Sequence, residues 1–468
     1  MVHNVPMEKS ESYQANIEAI ANYLRSGEST EETHRLGFEI EHFVVDAQTN
    51  ALVPYSSDDT TDGRPGVEDV LHGLEPLYEG DMHTVDTEGR ERVIGLARKG
   101  APLTIEPGAQ VEVSIGPACN VGDLERVYKA FRSEIDNVLE GMGYKLVTLG
   151  YHPSACARDI PLIPKHRYAM MNEHFTKTGR HGICMMRGSA STQVSIDFDD
   201  EADCIAKMRV ASAIGPLIYF LCDNAPVFEG LRVGRLEPGF SGDAFSASRL
   251  KVPMRMARAR IWGDVDPDRG MVAPTLFEPG PAYSSYARML MDRPPILTLS
   301  DPHDDSTAVY HGFERARDIY AGHLLTVEEI EHLLSMFFFD VRLKKYIEIR
   351  MADSMPSAYA LSYAAFIKGI FYNDVAIERL CGLIERVRLE DTRAVVRRLR
   401  SFGYDAQVYG RPAREWFDEL LDLAESGLKA QAQDAPAGVC PAADDTAYLE
   451  SLAGLVRDRT TVLEALHG

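Results

Sequence analysis

No two of the seven cysteines stand as a Cys-x-x-Cys pair, which argues against a zinc site, and their scatter reads as mostly reduced, buried thiols, with Cys222 a core residue inside an apolar run and a redox switch between two distant cysteines as the lesser reading. Basic charge is scarce as well. With 49 Lys+Arg against 71 Asp+Glu, the formal net charge of -22 repels nucleic acid and anionic membrane, leaving small molecules as the expected partners. Long apolar runs are missing too: the longest, Val210 to Cys222, is interrupted by Gly215-Pro216 and falls short of the roughly 20 residues a membrane span needs. It is expected to be a buried helix. There is no Gly-x-x-x-x-Gly-Lys-Ser/Thr, no Gly-x-Gly-x-x-Gly and no Gly-x-Ser-x-Gly, so a P-loop, a Rossmann site and a hydrolase nucleophile elbow are excluded. The opening MVHNVPMEKSESYQ holds no basic segment followed by an apolar core, from which a cytoplasmic location is expected.

What is present is ample core material: 468 residues, 45% hydrophobic, enough for one large domain or a few smaller ones. Periodicity predicts helices over Glu11–Arg25, Val67–Tyr78, Asp123–Leu139, His166–Phe175, from Asp200 or Glu201 through the Val210 run, over Thr326–Phe338 and Ala358–Tyr372, and a mostly helical chain thereafter. Strands are expected over Arg35–Asp46, as two or three pieces within Arg92–Ile115 with a break at Pro107-Gly108, and over Tyr144–Gly150, Thr192–Phe198 and Lys345–Arg350. Residues 230–300 read as extended connections rich in Pro, Gly and Arg, and Ala430–Asp444 as a linker before a final helix ending near Leu466. The expected division is a catalytic unit over residues 1–430 with its N-terminal helix, then linker and C-terminal helix over 431–468.

The acidic residues lie on the strands. In Glu39-Ile40-Glu41, alternate positions share a face, so two carboxylates project together about 7 Å apart, a spacing that suits divalent metal ions and equally a solvent-facing edge strand. Gln110 and Glu112 share a face in the same way, and the Pro107-Gly108 turn can redirect Glu106 toward them. Were the two strands adjacent, four carboxylates would form a cage of hard oxygen ligands suited to Mg²⁺. Glu348 and Arg350 also share a face, which fits either metal-bound phosphate or, more commonly, a cross-strand ion pair. Basic residues gather at Lys165-His-Arg167-Tyr168 and at Arg255–Arg269, where Trp262 and Asp264 mark a ligand-facing loop.

In this order, Gly37-Phe-Glu-Ile-Glu-His-Phe, Ile105-Glu-Pro-Gly-Ala-Gln-Val-Glu-Val-Ser, Ile163-Pro-Lys-His-Arg-Tyr-Ala-Met-Met, Ser191-Thr-Gln-Val-Ser-Ile-Asp-Phe, Arg258-Ala-Arg-Ile-Trp-Gly-Asp-Val-Asp-Pro-Asp-Arg and Val341-Arg-Leu-Lys-Lys-Tyr-Ile-Glu-Ile-Arg resemble the plant- and proteobacterial-type glutamate-cysteine ligases, from about Gly37 to about Asp374. The resemblance implies an α+β fold of glutamine-synthetase type, an antiparallel sheet forming a concave active site with helices packed behind it. It implies ATP as co-substrate and Mg²⁺ held by Glu39, Glu41, Glu106, Glu112 and Glu348. Gln110 would be a further metal or nucleotide contact, Arg167 and Tyr168 would bind substrate beside Trp262, and Arg258, Arg269 and Arg350 would hold carboxylate or phosphate. The implied reaction joins the γ-carboxylate of glutamate to the cysteine amine through a γ-glutamyl phosphate, in a monomer or homodimer. The chain departs from the family pattern at Ala109 and Met351, where Gly is expected, and at Arg187, one place early. A related ligase using another amine, and a non-catalytic binding protein on the same fold, therefore stay open.

Overall fold

The computed structural model describes residues 9–468 apart from 31–32, 61–62, 88, 234–254, 302–303, 435–439 and 441–442. Its centre is the strand Leu36–Asp46 (β1), whose residues alternate between buried Leu36, Phe38 and Ile40 and half-buried Gly37, Glu39 and Glu41. That alternation gives the strand an apolar face and an acidic one. Around it run Met82–Thr87 (β2), Arg90–Leu96 (β3), Leu103–Ile105 (β4), Val111–Ala118 (β5), Tyr144–Val147 (β6), Ser191–Ile196 (β7), Val341–Leu343 (β8) and Ile347–Asp353 (β9). They form one nine-stranded sheet in the order β8-β9-β7-β1-β5-β4-β3-β2, with β6 paired to the end of β1. Each of these pairings is antiparallel. The expected α+β class with an antiparallel sheet is what the chain adopts.

Helices cover the apolar face. Val121–Met142 (α1) lies against β5 and β6, Glu201–Leu221 (α3) against β9, and Ser357–Phe371 (α5) against β7. His42, on the Phe38/Ile40 side of β1, stacks on Tyr128 of α1 at 5.8 Å between ring centroids, which fixes that side as the one facing the helices. Helix α3 is long and apolar enough to cross a membrane, but most of it is buried inside this molecule. The acidic face of the sheet is covered by His166–Thr178 (α2), the short helix Ala257–Trp262 (α4) and the segment after Val327–Ser335.

Several elements differ from expectation for local reasons. Helix α1 begins at Val121 because Asn120, not Asp123, is its cap, Asn120 accepting from the Asp123 N–H at 2.8 Å. The polar, half-exposed strand β2 has no apolar alternation to announce it. Residues 230–300 are not merely extended: α4, a helix over Tyr283–Met291 and a strand at Ile296–Leu299 occupy the described part, while 234–254 lie outside the described residues. The helix expected over Thr326–Phe338 stops at Ser335, and Phe338–Phe339 pairs instead with Gly270–Met271. The helix Ala413–Asp434 (α7) runs on past residue 430, and the tail holds two helical pieces, Glu450–Asp458 and Val462–His467, in place of one. This tail is tied to the core: Cys440 is disulfide-bonded to Cys119, and buried Asp445 accepts from the Val121 N–H and from Lys368 Nζ, the latter at 2.7 Å. Five cysteines are free, in line with mostly reduced thiols, while Cys119 and Cys440 form a bond between two distant cysteines, the lesser reading of the sequence.

Candidate active site

The pairing register places the acidic residues. Glu41 lies directly opposite Glu112, Glu39 opposite Gln193 on the other flank, and Glu348 opposite both Ser195 and Arg342. In an antiparallel pair, opposed residues share a face, so β1, β5, β7, β8 and β9 present one polar floor. Above it is a cavity of about 300 Å³, lined by Glu39, Glu41, Glu106, Gln110, Glu112, Arg167, Tyr168, Arg258, Trp262, Glu348 and Arg350 among others. Of the residues expected at the site, all but Arg269 are therefore brought together. The solvent-facing reading of Glu39-x-Glu41 falls, because these side chains face an enclosed floor.

One end of the floor is acidic. Glu41 is fixed by the Ser191 backbone N–H at 2.7 Å and the Ser191 hydroxyl at 2.9 Å, and Glu112 by the Thr104 hydroxyl at 2.9 Å. Burial, with the charge of Glu106 added, pushes the Glu41 carboxyl up to about 7. Burial and the neighbouring glutamates push Glu112 well above the usual carboxylate range, and burial with the charge of Glu348 raises Glu39. These are carboxylates short of positive charge. Among the described residues, however, no three His, Cys, Asp or Glu side chains converge closely enough to hold a metal by themselves. The four-carboxylate cage expected from the sequence is not formed. What the floor offers is a spread of hard oxygen donors, and Mg²⁺ is commonly held by one or two carboxylates with its other positions filled by water and phosphate.

The other end is basic. Arg342 grips Glu348 with Nε to Oε2 at 2.5 Å and Nη2 to Oε1 at 3.0 Å, Arg350 reaches Oε2 at 2.9 Å, and Lys344 Nζ stands 3.7 Å from Oε1. Burial pushes this carboxyl up, but the three cations outweigh it and hold it well below the usual range. The cross-strand ion pair suggested by Glu-x-Arg is real, with Arg342 as the partner the sequence reading left out. Arg342 and Lys344 alternate just as Glu348 and Arg350 do across the turn at 345–346, so period two on both arms of the hairpin was the available signal.

The walls hold the remaining candidates. Arg167 and Lys165 lie over the Tyr168 ring, 5.4 and 4.9 Å from its centroid, and burial with the Arg167 charge lowers the Lys165 ammonium to about 8. Gln110 is spent on the protein: its Oε1 accepts from the Gly108 N–H at 2.8 Å and its Nε2 donates to the Ser189 carbonyl at 2.7 Å. It locks the turn carrying Glu106, in which Ala109 stands at φ 65°. Arg258 donates to the Met351 and Ala352 carbonyls at 3.1 and 2.9 Å, steadying the end of β9. Arg269 corrects the sequence reading. It is buried away from the cavity, bonded by Nε to Asp266 at 2.7 Å and by Nη1 to the Pro294 carbonyl at 2.9 Å. Arg187 is likewise turned away, holding Asn172 at 2.8 Å. Met171, Met185, Met186 and Met336, which the sequence reading did not assign, form the apolar wall beside Trp262 and Phe338.

Comparison with known proteins shows the family to which the chain is similar. The profile of Glutamate-cysteine ligase family 2 (GCS2) matches residues 35–461. The chain is 26% identical over 456 residues to the chloroplastic glutamate–cysteine ligase of Medicago truncatula, covering 96% of this chain and 82% of that one. It is 26% identical over 415 residues to the chloroplastic enzyme of Arabidopsis thaliana, covering 88% and 73%. Among solved structures, the complex between prokaryotic ubiquitin-like protein Pup and its ligase PafA aligns with TM-score 0.43 and 10% identity, over 93% of this chain and 66% of that one. The descriptions of these relatives as chloroplastic overturn the cytoplasmic expectation drawn from the first residues.

Proposed function

The chain belongs to glutamate-cysteine ligase family 2, and from that premise we propose how its cavity carries out the ATP-dependent joining of the glutamate γ-carboxylate to the amino group of cysteine. The products are γ-glutamylcysteine, ADP and phosphate, which places the reaction in glutathione-type thiol synthesis. The observation that supports the site assignment is the single floor on which an acidic end and a basic end face each other across one cavity.

The reaction must bring a carboxylate onto a polyanion, so repulsion is the first obstacle. Arg350 and Arg342, oriented by their shared partner Glu348, supply donors for the phosphates of ATP, with Lys344 as a further point charge. Glu39, Glu41, Glu106 and Glu112 supply the carboxylates, one or two to each ion, that would hold Mg²⁺, whose charge, when bound, cancels that of the phosphates and stabilises the transferring phosphoryl group. Arg167 is placed to take a carboxylate of the amino-acid substrate. A γ-carboxylate oxygen of glutamate attacks the γ-phosphorus, the bond to the β-phosphate oxygen breaks and ADP departs. The cysteine amine then attacks the acyl carbon of γ-glutamyl phosphate, phosphate leaves and one amine proton is released. Trp262, Phe338 and the methionines exclude water from the acyl phosphate during its lifetime.

The test is ADP release by purified protein with Mg-ATP and glutamate, with cysteine, a panel of other amines or no amine, alongside hydroxylamine trapping of the acyl phosphate. Cysteine-dependent release with γ-glutamylcysteine seen by mass spectrometry is expected. Release with another amine only would change the acceptor, and silence with no hydroxamate would overturn the reading.

A further inference from the structure

Behind Trp262 lies a second cleft of about 520 Å³, lined by Ala259 and Gly263 and by Arg393, Val396 and Arg397 of the helix Leu389–Phe402 (α6). Among the described residues Trp262 is the one that lines both this cleft and the catalytic cavity. Its ring is buried and packs on Phe338, 6.1 Å between centroids. One side chain therefore separates a cavity of about 300 Å³ from a larger space.

Where Trp262 stands over the floor decides which substrate meets it. Arg258 and Trp262, four residues apart, share a face of α4, and Arg258 donates to the carbonyls of Met351 and Ala352 toward the end of β9. The basic grip on Glu348 lies four residues back along the same strand, about 10–13 Å away. Helix α4 also packs against the turn Cys184–Gly188, which carries Met185 and Met186 and is followed at once by Ser191, the partner of Glu41. Trp262 is thus at the acidic end, away from the arginines that suit phosphate. Carboxylates suit an ammonium group, and an uncharged side chain beyond that group suits methionines and an indole. Of the three substrates in the reaction proposed above, cysteine has that form, whereas glutamate ends in a second carboxylate and ATP brings its charge to the basic end. We propose that Trp262 is the specificity wall of the acceptor subsite: its indole sets how long a side chain the amine substrate can carry, and the cleft behind it is the space a longer side chain enters once the indole is removed. The inference rests on the ligase reading of the cavity.

The experiment measures kcat/KM of the full-length protein for cysteine and for S-ethyl-, S-butyl- and S-hexylcysteine with Mg-ATP and glutamate, following the γ-glutamyl product by mass spectrometry, in wild type, W262A, W262F and M185A. Met185 lines the cavity and not the cleft, so M185A enlarges the same space without opening it. The expected result is that the ratio of kcat/KM for S-butylcysteine to that for cysteine rises at least about tenfold in W262A and less in W262F and M185A, with KM for ATP held within about twofold. An unchanged ratio in W262A, or one raised as much in M185A, overturns the proposal. A rise in KM for ATP without a change in the ratio also overturns it, because the nucleotide base would then be the group against the indole. If circular dichroism shows W262A unfolded, W262F decides by the same ratio taken with S-ethylcysteine. Wild type that forms no γ-glutamyl product from cysteine would overturn the ligase reading itself, an outcome distinct from an unchanged ratio in an active enzyme.

Discussion

Replacing Glu39 by Gln keeps the volume of the side chain and removes one charge from a face where burial already strains the carboxylates. We expect Glu39→Gln to lower kcat/KM at least about 100-fold, a loss of roughly 3 kcal/mol of transition-state stabilisation, while the melting temperature holds or rises. Steady-state kinetics beside a thermal melt decides it, and near wild-type turnover would remove Glu39 from the site. Arg269→Met should do the reverse. It strips the partner from buried Asp266 and should cost about 3–5 kcal/mol of stability while leaving kcat per folded molecule unchanged. The resemblance put both residues in the site, Glu39 as a metal ligand and Arg269 as a contact for carboxylate or phosphate. What separates them is where they face: Glu39 lines the cavity, whereas Arg269 is closed in by the carbonyls of Pro294 and Met336, residues far along the chain. His42 gives a pH test. Burial, with Arg132 adding to it, lowers its imidazole to about 3 from an ordinary 6.5. The unfolded chain therefore takes up a proton that the folded one refuses between these values, so this contribution to stability is complete above pH 6.5 and is lost progressively as pH falls toward 3, at up to about 1.4 kcal/mol per pH unit. Imidazole ¹⁵N shifts should stay in the neutral pattern at pH 5. A titration midpoint near 6.5 would refute the burial argument.

At the scale of elements, the strands were legible where one face is apolar and the other carries chemistry, because period two then appears in both sets at once. β1, β5 and β9 are of that kind. β2 is exposed on both sides and leaves no such trace, and the helix over Tyr283–Met291 hides in a stretch whose glycines and prolines outweigh its short apolar stripe. The packing of the tail could not be read either, since it rests on pairs more than 300 residues apart in the chain, such as Val121 with Asp445 and Cys119 with Cys440. Asp445 is the polar anchor of that packing, sitting between the first turn of α1 and Lys368 of α5. Asp445→Ala leaves a buried ammonium and a helix N–H unmatched, so a loss of about 3–5 kcal/mol is expected. Urea unfolding should show a lower midpoint with unchanged slope. A midpoint within error of wild type would mean that the tail is not held through this residue.

Across the whole molecule, charge is arranged against stability on the catalytic floor, and that arrangement can be tested directly. Four glutamates face one cavity, and Glu112 is raised well above the usual carboxylate range by burial and by the charges of Glu39, Glu106 and Glu41. A group that is unfavourable in the empty protein becomes favourable when an opposite charge arrives, so free energy lost on folding is recovered on binding. Glu112→Gln should therefore be more stable than wild type in EDTA, by about 1 kcal/mol or more given that one like-charge contact is removed from a buried site. Wild type should gain thermal stability on adding millimolar Mg²⁺ with ATP, by about 2.7 kcal/mol at one hundred times the dissociation constant, and the variant should gain much less. The order of the melting curves should thus reverse between the two conditions. A variant less stable than wild type in EDTA would mean that Glu112 serves packing through Thr104 rather than charge, and an equal gain on ligand addition would place the cation elsewhere on the floor.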